Sequence, residues 1–114
     1  MNIFEIPKMA DRLAGHERVY DEFLRVPAMS AGLYHLAAEA IDPQQPHTED
    51  ELYYVIAGRG RFRCGEEDRD VRPGHLIFVP ARAEHRFHSI TEDLTLLVVF
   101  APAESGGNAA SREA

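Results

Sequence analysis

Residues 45–60 read QPHTEDELYYVIAGRG, and residues 74–89 read GHLIFVPARAEHRFHS. In the first stretch, residues 51–57 (ELYYVIA) are aromatic and β-branched and stop at Gly58. Residues 60–64 (GRFRC) then alternate charged with apolar side chains and stop at Gly65. The second stretch follows a Pro73-Gly74 turn signal. It holds an apolar strand at residues 75–79, a break at Pro80, and a further strand at residues 85–90. Short strands separated by Gly and Pro are the pattern of a β-sandwich or barrel.

The same two stretches carry the chemistry. In extended chain, residues of equal parity share a face. Gln45, His47 and Glu51 therefore point the same way if the segment is extended. Imidazole nitrogen and carboxylate oxygen are good ligands for a divalent first-row metal, and an amide oxygen adds a weaker one. Glu49 has the same parity and rivals Glu51, because a loop or bulge before Leu52 resets the register. His85 opens its strand with Phe87 on the same face and His88 on the other.

Working outward, residues 19–26, 32–38, 70–72 and 94–100 also read as strands, for a total of seven or eight. Residues 94–100 (LTLLVVF) are apolar on both faces, so each face needs a cover. A second copy of the chain is one such cover, and a homodimer is expected. The one helix signal is residues 7–14 (PKMADRLA), with Pro at the first turn and Gly15 as a stop. From Ala103 the chain reads AESGGNAASREA, small and polar. A single domain over residues 1–102 and a flexible tail over residues 103–114 are expected.

Composition narrows the function. Twelve Lys and Arg face 19 Asp and Glu, a formal net charge of -7. That balance argues against nucleic acid and anionic membrane surfaces as partners. No apolar run approaches the roughly 20 residues of a membrane span, and the N-terminus lacks a secretory pattern. A single cysteine, Cys64, excludes an internal disulfide and a Cys-rich zinc site. A cytoplasmic protein acting on a small molecule is the expectation.

The two stretches resemble the cupin family. Its first motif, G-x5-H-x-H-x3,4-E-x6-G, is matched by His47, Glu51 and Gly58 at the motif's spacing. Its second, G-x5-P-x-G-x2-H-x3-N, is matched by Gly74, Pro80 and His85. Among the departures, Gln45 stands at the first His, Arg82 at the inner Gly and Ser89 at the Asn. The resemblance covers about residues 32–101. It implies an all-β jelly-roll barrel, often homodimeric, with a metal held inside by His47, Glu51 and His85. Gln45 is a fourth, weaker candidate. Two His and one carboxylate form the facial triad of non-haem iron oxygenases, and they also suit a catalytic zinc. Fe, Mn, Ni or Zn all remain open.

The family reading favours a dioxygenase-type oxidoreductase, with lyase or isomerase chemistry as variants. A non-catalytic ligand-binding or regulatory barrel is the competing reading. Tyr53 shares the parity of Glu51 and is a candidate substrate contact or proton donor. His35, in a strand, is a second candidate for positioning substrate. Arg61 and Arg63 are expected in solvent, and Phe62 and Phe87 in the barrel wall.

Overall fold

The computed structural model describes residues 1–43 and 46–105. One short helix, α1 (Ile6–Asp11), precedes six strands: β1 (Arg18–Val26), β2 (Met29–Leu36), β3 (Asp50–Cys64), β4 (Glu67–Val71), β5 (Leu76–Val79) and β6 (His85–Ala101). The sheet order is β1-β2-β6-β3-β4, with β5 paired to the free half of β3. Every pairing is antiparallel. The all-β barrel expected from the turn pattern is what the chain forms.

Two pairs of expected strands are single strands. Gly58 does not end β3. It takes a positive φ of 97° at a bulge where the pairing with β6 shifts between Ala57 and Arg59. A Cβ at that position would overlap the Asp93 carbonyl. The glycine therefore lets β3 run on through the irregular pairing with β6, whose extra residues fall between His88 and Thr95.

The interior is aromatic and aliphatic. Tyr20, Tyr34, Tyr53, Val55, Phe62, Phe87, Leu94, Leu96, Val98 and Phe100 form one buried cluster. In β2, every residue from Ser30 to Leu36 is buried, on both faces. The outer face of β2 carries Leu33 and His35. Burial first, and then the nearby His16 that follows α1, lower the His35 pKa against the opposing charge of Asp93. The N-terminal segment of the chain itself thus supplies cover for part of that face.

The turn between β5 and β6 is built against the loop that precedes β3. Arg82 N–H donates to the His47 carbonyl at 2.6 Å, and Ala81 N–H to Asp50 Oδ1 at 2.9 Å. Arg82 has φ 67°, a conformation that costs a side-chain-bearing residue about 1–2 kcal/mol. This explains why the resembled motif has Gly there. The strain is held by the hydrogen bond to His47, so the turn keeps its geometry without the glycine.

Ordered contacts run past the expected domain boundary at residue 102. Ala103 N–H donates to the Pro27 carbonyl, and Glu104 is fully buried. The rest of the expected tail, residues 106–114, lies outside the described residues. No helix among the described residues is long and apolar enough to cross a membrane.

Candidate metal centre

The pleat of β3 points Glu51 and Tyr53 inward and Leu52 and Tyr54 outward. The same pleat in β6 points His85 and Phe87 inward. His47 comes from the loop before β3, its ring packed against Phe100 at a centroid distance of 4.9 Å. One ligand atom from each of His47, Glu51 and His85 lies within 4.8 Å of the others. The side chains of Glu51 and His85 are each 1% exposed, and His47 is 14% exposed. His47 is therefore the edge of the trio nearest solvent.

The atoms at the centre of this group lack ordinary partners. His47 Nε2, His85 Nε2 and both Glu51 oxygens are buried without a hydrogen bond. Glu51 Oε1 stands 3.1 Å from His85 Nε2, an electrostatic contact. Buried polar atoms left this way are costly unless something else satisfies them. The opposite side of each ring is occupied. His85 Nδ1 is 2.8 Å from the Ala83 carbonyl, and His47 Nδ1 is 3.3 Å from Glu104 Oε2. Only an N–H can face these acceptors, so Nδ1 carries a proton on each ring and Nε2 is the nitrogen left to ligate once its own proton is displaced. Two neutral imidazoles and one carboxylate, all aimed at one point, fit a divalent transition metal.

The surroundings are apolar. Tyr53 and Phe62 lie 6.0 and 5.9 Å from the His85 ring, and Phe87 packs on both of them. Burial, then the charge of Glu51, holds the Tyr53 phenol well above its ordinary pKa, so it keeps its proton beside that carboxylate. Burial works against protonating His85, but the Glu51 carboxylate and the Ala83 carbonyl outweigh it and raise the pKa. A cavity of about 590 Å³ abuts His85 from outside, bounded by Pro46, Arg63, Glu84 and His88.

The candidates from sequence sort clearly. Glu51 faces His85, whereas its rival Glu49 is turned away and bonded to Thr48 and Ser105. Those bonds outweigh its burial and lower its pKa. Tyr53 stands at the site. His35 does not: it occupies the other face of β2 from Tyr34, where its Nδ1 meets Thr95 Oγ1 at 3.3 Å. The structure does not bring His35, the expected second candidate for positioning substrate, to the His47–Glu51–His85 group. β2 is buried on both faces, so burial gave no sign of which way His35 points. Gln45 lies outside the described residues. Arg61 and Arg63 lie on the outer face, paired with Asp68. His88 joins them there, 2.9 Å from Asp68. The residue that sequence reasoning missed is Glu104, which sits in the small polar stretch read as tail.

Known proteins share this architecture. The sequence model of the cupin domain family matches residues 32–100. An uncharacterized protein of Streptomyces coelicolor is 43% identical over 105 residues, taking in 92% of this chain and 100% of that protein. The crystal structure of a Thermus thermophilus protein superposes with a TM-score of 0.79 at 28% identity, covering 90% of this chain and 99% of the other. A DMSP lyase structure from Ruegeria pomeroyi gives a TM-score of 0.63 at 23% identity, covering 67% of this chain and 39% of that one. At that identity the lyase shows a shared fold.

Proposed function

The chain belongs to the cupin domain family, and on that premise we propose a metal-dependent barrel acting on a small molecule. His47 Nε2, Glu51 and His85 Nε2 would hold one divalent transition metal, Fe, Mn, Ni or Zn. The observation that carries this reading is the convergence of two buried imidazole nitrogens and a buried carboxylate within 4.8 Å of one another. Bound there, a metal would supply a Lewis acid with coordination positions open to substrate and, for iron, to O2.

The chain's own part is specific. Ala83 and Glu104 hold the two rings in the ligating tautomer. Tyr53, Phe62 and Phe87 keep water from the inner side of the site, which strengthens each polar contact there. The Tyr53 hydroxyl is the protonated group beside Glu51 and the candidate proton donor. The facial arrangement favours dioxygenase-type oxidation, with lyase or isomerase chemistry as the variant. A non-catalytic ligand-binding barrel is the second reading. It is supported by the near-complete burial of Glu51 and His85, which leaves His47 as the most exposed of the three. O2 uptake by the iron-loaded protein against small diols, thiols and keto acids separates them. Turnover supports the enzyme, and metal binding without turnover across redox and non-redox assays supports the module.

The site's pH dependence has a defined sign. A proton and a metal compete for His85 Nε2, and the His85 pKa is raised above 6.5. Metal affinity therefore falls as pH drops through that raised value, earlier than for an ordinary histidine. In metal-free protein the sign reverses. The raised folded pKa means that the His85–Glu51 contribution is full below about 6.5 and is lost as pH rises through the folded value. Melting curves across this window, with and without chelator, should run in opposite directions. Parallel curves would count against the site.

The partner we propose is a second copy of the chain. Leu76 and Phe78 are 65% and 60% exposed, and they pair with the exposed Tyr54 and Leu52 on the outer face of β3 and β5. These four side chains form one adjacent apolar patch of the kind that marks an interface. Light scattering coupled to size exclusion should show a dimer, and L76D/F78D should be monomeric. A monomeric wild type would remove this part of the proposal.

A further inference from the structure

We infer that Glu104 is a positioning residue for the ligand His47, and that residues 103–105 strap the His47 loop onto the barrel; this rests on the metal-centre reading above. Neither motif of the family includes this residue. Its side chain is 2% exposed, and Oε2 lies 3.3 Å from His47 Nδ1. A carboxylate behind a ligating imidazole fixes its tautomer and raises its basicity.

The backbone of the strap explains how the carboxylate is held. After β6 the chain passes over the β1–β2 hairpin. Glu104 N–H donates to Ser30 Oγ at 2.9 Å, and the Glu104 carbonyl accepts from the Arg25 guanidinium at 2.6 Å. Ser105 then donates through both its N–H and its hydroxyl to Glu49, two residues beyond His47. The loop bearing His47 is thus gripped from two sides. Arg82 holds its backbone, and residues 104–105 hold its ring and its neighbour.

The two ligand rings also differ in their support. His85 relies on the Ala83 carbonyl of its own turn, which no side-chain substitution removes. His47 relies on a side chain distant in sequence. Substituting Glu104 should therefore free one ring and leave the other as an internal control. Charge points the same way. Glu51 and Glu104 place two carboxylates around the site, enough to neutralise a dication.

The test compares E104Q and E104A with wild type in two measurements. In metal-free protein, at a pH where nitrogen NMR shows both rings uncharged, the same spectra read the tautomer of each histidine. Wild-type His47 should be a single species protonated on Nδ1. E104A should give a mixture, with His85 unchanged, and E104Q should lie nearer wild type because its amide oxygen still accepts. Competition of Co(II) against a chromophoric chelator then reads affinity. E104A should lose about 10–100-fold, and E104Q less. His85 resonances report folding, and E104Q carries the test if E104A does not fold. Unchanged His47 tautomer and unchanged Co(II) affinity in the folded variants would overturn the inference. If wild type takes up no Co(II) but the His47 tautomer still follows Glu104, the positioning role stands and the metal-centre reading fails.

Discussion

A His47→Ala/His85→Ala double variant should purify without stoichiometric transition metal, where tag-free wild type carries near one equivalent. Both imidazole ligands are gone, and Glu51 alone offers a single carboxylate to an ion that water hydrates well. Loss of an outer partner already costs about 10–100-fold in affinity, so loss of two direct ligands should exceed that. Stability should follow. A ligand at about 1,000 times its dissociation constant adds about 4 kcal/mol to the folded state, and the double variant should show no such gain on adding metal. His85→Ala also removes the imidazole 3.1 Å from the buried Glu51 carboxylate, which is destabilising in its own right. His47→Ala alone keeps the Glu51–His85 contact and serves as the folded comparison. Equal metal content in wild type and both variants would dismiss the site.

The second large effect concerns the wall. Phe87 packs on Phe62 and Tyr53 at 4.5 and 4.9 Å, and its backbone N–H donates to the buried Asp42 at 2.9 Å. Phe87→Ala should cost about 3–5 kcal/mol. A domain of this size holds only about 5–15 kcal/mol in all, so the urea midpoint should fall by roughly a fifth or more. The loss should reach the site as well. Tyr53 and Phe62 flank His85, and both border the space that Phe87 would vacate. Metal affinity should therefore drop along with stability. A cost below about 1 kcal/mol would mean that these rings are not the core.

How far the sequence speaks depends on the kind of signal. The strands are legible because alternation and Gly/Pro breaks are local. Glu51 is legible over Glu49 through motif spacing, and the geometry gives each a separate job. Gly58 misleads because a bulge and a strand end use the same residue, and only the pairing with the partner strand distinguishes them. The direction of His35 is not legible because β2 is buried on both faces. Glu104 is invisible because its meaning comes entirely from distant residues: Ser30, Arg25 and His47. Its own neighbours in sequence are small and polar, with no periodicity to read.

The long reach of these contacts has a kinetic side. Glu104 meets Ser30 across 74 residues of chain, and His35 meets Thr95 across 60. β6 is the last strand, yet it lies between β2 and β3 in the sheet. Neither half of the barrel can close until β6 arrives. Each such pairing must first overcome the entropy of closing a long loop before any contact stabilises it. Chains of this kind fold in milliseconds to seconds rather than microseconds. The ligands share that delay, since His47 and Glu51 meet His85 only when β6 has docked on β3. Metal capture should therefore trail barrel closure, with an early metal ion finding only scattered donors.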